Sequence, residues 1–207
     1  MKINVIGATG MVGTQAVAEA AARGHEVVAY SRSGKAVKGA AYATGLDMAD
    51  TVRVVEAVNG ADVTIIAVSA GRDGQDPQPV IDAYRALIAA QPAARIIAVG
   101  GAGSLNADEA GTLIKDTPSF PADYYPEANA FATILQEFRN SDGVDWIVVA
   151  PSPEIAPGTR TGEYVTADDV PAGEGVSVED FAIALIDEAE NPTHRQARFT
   201  VASNGLA

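Results

Sequence analysis

Apolar and polar positions along this chain follow two alternating rhythms. Short, nearly unbroken apolar runs read as strands: Lys2 to Ile6, Glu26 to Tyr30, Val63 to Val68, Arg95 to Val99 and Trp146 to Val149. The run from Val63 is rich in β-branched residues, as a strand covered on both faces should be. Between the runs, apolar residues recur three and four apart, the spacing of one helix face. Met11 to Arg23 carries Val12, Ala16, Val17 and Ala20 on one side and stops at Gly24, a natural helix end. Asp50 to Val58 closes at Asn59-Gly60, and Asp76 to Ala90 gathers Val80, Tyr84, Leu87 and Ile88 on one face. A further helix is expected from about Ala122 to Arg139. Ser177 opens the last helix, with Asp180 three residues on in a capping-box-like pattern. Ala41 to Thr44 and Arg198 to Val201 are short extra strands.

Strands that alternate with helices of this length need crossover connections. The expected fold class is therefore α/β, a doubly wound, mostly parallel sheet with helices on both faces. The 207 residues suffice for one domain, spanning 1–207. The stretch from Pro151 to Gly175 is rich in proline, glycine and charge. It reads as a long loop carrying at most one hairpin, on the C-terminal edge of the sheet where ligands bind.

Charge narrows the partners. Acidic residues outnumber basic ones 27 to 14, for a formal charge of −13. Such a surface repels phosphate backbones and anionic lipid, so neither nucleic acid nor a membrane is expected as a partner. The chain has no cysteine, which excludes disulfides, thiolate metal sites and cysteine nucleophiles, and no metal is expected. The opening residues form too short an apolar run for a signal peptide and lack a cleavage pattern, and no stretch approaches the ~18 apolar residues of a membrane span. A cytoplasmic protein is expected. The pattern says nothing of the oligomeric state.

The sharpest chemical signal is Gly7-Ala8-Thr9-Gly10-Met11-Val12-Gly13, directly after the first strand and directly before the first helix. The first glycine permits a sharp turn, the second leaves room for a pyrophosphate, and the third lets helix pack on strand. The helix start offers unpaired N–H groups and the positive end of its dipole to phosphates. A glycine pattern alone is weak, but here strand, helix and second strand stand where a Rossmann-type dinucleotide site requires them. Gly7, Thr9, Gly10, Met11, Val12 and Gly13 are therefore expected to bind cofactor.

After the second strand, a protein that binds NAD usually has an acidic residue for the ribose hydroxyl. This chain has Tyr30-Ser31-Arg32-Ser33-Gly34-Lys35 instead. Arg32, assisted by Ser31 and Ser33, suits a 2′-phosphate, so NADP(H) is expected in preference to NAD(H). Asp47, followed by Met48, either reaches the adenine amine or caps a helix. Val68-Ser69-Ala70-Gly71 and Gly100-Gly101-Ala102-Gly103-Ser104 end two central strands and place small residues beside the ribose and nicotinamide.

These segments together resemble the atypical short-chain dehydrogenase/reductase group that contains the NmrA-like proteins and the provisionally named NAD(P)H-flavin reductases. GATGMVG, VVAYSRS and AVGGAGSL carry the resemblance, followed by DWIVVAPSPEIAPGTRTGEY and VSVEDFAIALIDEAENPTHRQARFTV. A more distant similarity is to the biliverdin-IXβ/flavin reductase, whose closing loop looks like Thr161-Gly162-Glu163-Tyr164. The resemblance implies reduction of a flavin-like or quinone-like acceptor, held over the nicotinamide and walled by Pro151 to Tyr164, with Tyr124 and Tyr125 as further candidates. Two departures matter. The Tyr-x-x-x-Lys pair of ordinary short-chain dehydrogenases is absent, since Ala128 and Asn129 stand four residues after Tyr124 and Tyr125. The histidine of the biliverdin-type reductase is also missing from Pro151-Ser152-Pro153-Glu154. A catalytic proton donor carried over from the resemblance would be Ser104, Glu154 or water, and Ser104 could equally cap the next helix. A sensor that binds the dinucleotide without turnover is the alternative, as for NmrA-like proteins.

Overall fold

The computed structural model describes residues 1–70 and 74–206. The chain runs β1 (Lys2–Ile6), α1 (Met11–Ala22), β2 (Glu26–Ser31), β3 (Tyr42–Gly45), α2 (Thr51–Asn59), β4 (Val63–Ile66), α3 (Gln78–Ala89) and β5 (Arg95–Val99). It continues through α4 (Tyr125–Arg139), β6 (Trp146–Pro151), β7 (Glu154–Ala156), β8 (Val165–Asp168), β9 (Gly175–Ser177), α5 (Val178–Glu190) and β10 (Ala197–Ala202). Eight strands form one sheet in the order β3-β2-β1-β4-β5-β6-β10-β8. The pairs from β3 to β10 are parallel, and β8 alone is antiparallel, against β10. This is the doubly wound Rossmann-type fold expected from the alternation of runs.

The central strands face apolar layers on both sides, which is why they lack strict alternation. Ile3, Val5, Ile65 and Ile147 join α1 and α5 in one buried cluster. Ile6, Ile66, Ile96 and Trp146 join α2, α3 and α4 in the other. Asn4 is a polar residue inside β1, and its buried amide donates to the Ala57 carbonyl of α2 at 2.6 Å. The last helix begins as its sequence suggests, for the Ser177 hydroxyl accepts from the Asp180 amide at 3.1 Å.

Two expectations need correction. The run from Val63 stops as a strand at Ile66; the Ala67 amide still donates to the Ile6 carbonyl at 2.8 Å, and the chain leaves the sheet after it. The stretch from Pro151 to Gly175, expected as a loop, carries the strands β7 and β8 and reaches the start of β9, with no hairpin among the described strands. Instead β7 pairs in parallel with β9 as a separate two-stranded sheet, and β8 joins the edge of the main sheet. Both partners lie far along the chain, so no local turn signal announces them. The helix expected from Ala122 starts as a short 3₁₀ turn and becomes α-helical at Tyr125.

Candidate dinucleotide site

A cleft of about 610 Å³ opens at the C-terminal ends of β1, β2, β4, β5 and β6. Its floor is the turn after β1. Gly7 has φ +84°, and a Cβ there would lie 2.4 Å from the Ala67 carbonyl oxygen, so only glycine lets β1 exit beneath β4. The amides of Gly7 and Ala8 donate to the Tyr30 carbonyl at 2.9 and 3.0 Å, and that of Gly10 to Gly7 at 3.0 Å. The turn is thus closed upon itself. Helix α1 begins at Gly10 with no side-chain cap and no acidic residue in its first turn, while Met11 and Val12 line the cleft. An uncapped helix start beside open space fits a pyrophosphate, whose charge complements the dipole and whose oxygens can accept from the orphan amides. Gly13 is buried off the cleft wall. A Cβ there would sit 2.2 Å from the Gly7 carbonyl oxygen, so its role is close packing.

At one end of the cleft lie Ser31, Arg32, Asp47 and Met48. Arg32 is exposed, and its side chain has no hydrogen bond or ion pair among the described residues. Ser33 is not on the wall, and its hydroxyl lies 3.4 Å from that of Ser31. The two readings of Asp47 separate here. Asp50, not Asp47, caps α2 by accepting from the Arg53 amide at 3.2 Å, whereas Asp47 accepts from Ala49 at 3.0 Å within its own turn on the wall.

At the other end, Val68, Ser69, Gly100 and Pro151 line the cleft, whereas Ala70 and Gly101 do not. Gly71 lies outside the described residues. Gly101 is needed for packing, since a Cβ there would lie 2.8 Å from the Phe131 ring. Neither catalytic candidate is on the wall. Ser104 is buried, donating to the Gly101 carbonyl at 2.8 Å, and its hydroxyl accepts from Arg198 at 3.1 Å. It therefore fastens a loop. Glu154 is exposed at the start of β7, and only Ile155 of that strand faces in. Tyr124 and Tyr125 also lie off the wall.

Sequence reasoning missed several wall residues, among them Asp76, Pro79 and Val80 at the start of α3 and Glu127 and Phe131 on α4. These helices follow or precede strands whose ends already point to the site. Their starts fold over the same edge of the sheet, an arrangement that no local motif announces. Among the described residues no group of three His, Asp or Glu side chains is placed to hold a metal, and no helix is long and apolar enough to cross a membrane.

A family model described as NAD(P)H-binding matches residues 7–192. The chain belongs to this NAD(P)H-binding family. Its cofactor is accordingly a nicotinamide dinucleotide. The uncharacterized protein YwnB of Bacillus subtilis is 38% identical over 213 residues, covering 98% of this chain and 99% of that protein. A Streptococcus pneumoniae protein provisionally described as an NADH-flavin reductase superposes with a TM-score of 0.87 at 33% identity, covering 99% of this chain and all of the other. A Burkholderia pseudomallei protein provisionally described as exported superposes at 0.86 with 33% identity, over 98% of this chain and all of its own.

Proposed function

We propose that this protein is an NADPH-dependent oxidoreductase that passes hydride to a planar flavin-like or quinone-like acceptor. The observation that carries the cofactor preference is Arg32, a guanidinium on the cleft wall without a partner among the described residues, in a chain of net charge −13. A fork of donors at the end of β2 suits a 2′-phosphate. The flavin-reductase description of the Streptococcus pneumoniae protein supports the acceptor class.

In this reading the amides at the start of α1 hold the pyrophosphate and Arg32 the 2′-phosphate, with Ser31 beside it. Asp47, on the same wall, would reach the adenine amine. Gly100 would leave the nicotinamide room, and Val68, Ser69 and Pro151 would flank it. When bound, the nicotinamide supplies the hydride. Phe131, Val80 and Ile155 line the same cleft and would offer apolar walls to a flat acceptor. Hydride transfer between two flat rings depends chiefly on holding their faces near contact. It makes little demand on a proton shuttle, which agrees with the lack of a Tyr-x-x-x-Lys pair and with Ser104 and Glu154 lying off the wall.

That same placement of Ser104 and Glu154 favours the second reading, a dinucleotide sensor without turnover. Mixing the purified protein with NADPH and, in turn, riboflavin, FMN and menadione decides between them. Loss of the reduced-nicotinamide absorbance above the uncatalysed rate is expected with at least one acceptor. Tight NADPH binding with no turnover across the panel would favour the sensor.

A further inference from the structure

The RTGEY segment is the part of the chain that this functional reading does not use. The structure ties nearly every residue of it down. Between β7 and β8 the chain runs as an exposed strap along α5, from Glu179 and Asp180 in its first turn to Asp187, and touches α1 at Glu19. The Gly158 amide donates to Glu179 at 2.9 Å, and the Thr159 amide to the Gly205 carbonyl at 2.8 Å. Arg160 makes a forked pair with Glu19 of α1, at 3.0 and 2.9 Å. The amides of Thr161 and Gly162 donate to one oxygen of Asp180 at 2.8 and 3.0 Å, and the Thr161 hydroxyl to the other at 2.8 Å. Tyr164 donates to Asp187 at 2.7 Å.

This fastening is polar and directional where a loop of plain surface would need none. Asp180 is fully buried and Glu19 is 8% exposed, so both carboxylates are committed to the strap and its neighbours. Immediately before the strap stands β7, and its Ile155 faces the acceptor end of the cleft. The strand itself is three residues long; among the described strands it pairs with β9, and its Ile155 packs against the buried cluster of α1 and α5. So short a strand has little pairing to fix its exact placement against that cluster, and the strap fastens the chain on its C-terminal side.

We propose that Asp180 and Glu19 are positioning residues for the acceptor, acting through the strap to hold Ile155 against the cleft. Helix α1 also carries the pyrophosphate end of the site, so one helix supports both the cofactor and the acceptor wall. The inference rests on the acceptor lying beside Ile155, as in the function proposed above.

The test measures riboflavin binding to the NADP⁺-saturated protein by quenching of flavin fluorescence, together with riboflavin KM and kcat and the NADPH Kd. Arg160→Ala, Glu19→Gln and Asp180→Ala are compared with wild type, each checked for folding by thermal unfolding. Arg160 is 55% exposed, so its variant stays folded even if loss of Asp180 proves too damaging. The expected result is riboflavin Kd and KM raised about fivefold with NADPH Kd unchanged within about twofold. In an Ile155→Ala background the same substitutions should add little, because residues acting through one contact are not additive. Folded variants with unaltered riboflavin Kd and KM, or effects that add in full to that of Ile155→Ala, would overturn the proposal. A wild-type protein that binds NADPH but no acceptor would instead remove the functional reading beneath it.

Discussion

Gly13 packs so tightly on Gly7 that a single added methyl carbon would lie 2.2 Å from the Gly7 carbonyl oxygen and 2.9 Å from the Ala8 Cα. Both obstacles are backbone, so relief requires α1 to move away from β1. Gly13→Ala should therefore destabilise the fold by about 1–3 kcal/mol, as overpacking does. It should also weaken NADPH binding, because the uncapped start of α1 moves with the helix. Thermal unfolding and NADPH titration of the same variant check both, and loss of neither would mean that the turn can yield without cost.

Arg32→Ala should weaken NADPH binding by about tenfold or more and leave NADH binding nearly unchanged. The wild-type preference should shrink as salt is added, since Arg32 is exposed and its attraction for a phosphate is screened. Titrations with both dinucleotides at low and high ionic strength test this. Equal losses for the two would remove the assignment of a 2′-phosphate to Arg32.

The Ser104 hydroxyl is taken up by Gly101 and Arg198 away from the cleft wall. Ser104→Ala should thus lower stability by about 1 kcal/mol while kcat stays within about twofold of wild type. A large fall in kcat with normal NADPH binding would restore Ser104 as a proton donor.

Buried charge holds the far end of α5. Arg95 Nη2 donates to Glu188 at 2.6 Å, and both side chains are at most 5% exposed. The same carboxylate accepts from the Thr193 hydroxyl at 2.8 Å and the His194 amide at 3.1 Å. Without Glu188, Arg95 keeps Asp145 at 3.3 Å and the His194 carbonyl at 2.8 Å, so Glu188→Ala should cost about 1–3 kcal/mol in urea unfolding. A loss below about 1 kcal/mol would show that Asp145 takes over the pairing with Arg95.

Stability should fall at both ends of the pH range. The Arg160 guanidinium holds Glu19 below its ordinary 4.5, outweighing the upward pull of burial, with Arg23 assisting. Asp180 is also lowered, because hydrogen bonds from Thr161 and Gly162 outweigh its burial. Carboxylates lowered in the fold contribute stability that is present above their unfolded pKa and lost as pH falls through the folded one. The melting temperature should hold near neutral pH and drop below about pH 4, less steeply in Glu19→Gln. At the alkaline end, burial raises the Tyr84 phenol above its ordinary 10.0, so its contribution is lost as pH climbs past that value. The Tyr84 hydroxyl has no hydrogen-bond partner among the described residues, so Tyr84→Phe should flatten the alkaline fall at little or no cost near neutrality.

Much of this architecture was legible before any coordinates. Strand periods, helix stops at Gly24 and Asn59-Gly60 and the cap at Ser177 are local, because they depend on a residue and its near neighbours. The turn from Gly7 to Gly13 was legible for the same reason, since each glycine there meets backbone only a few residues away or one strand across. The β7–β9 pair and the strap were not, because their partners lie about twenty residues away or on other helices.

The chain's own order of residues determined the alternation of strands and helices, the glycine turn that opens the cleft, and the basic residue at the end of β2. Tertiary structure alone decided which side chains share that cleft. It turned Phe131 and Ile155 toward it, drew Ser104 away under Arg198, and spent the RTGEY segment on Asp180 and Glu19. The reason is physical: a local pattern specifies backbone conformation, whereas orientation toward a cavity depends on what distant elements leave open once both cores are packed.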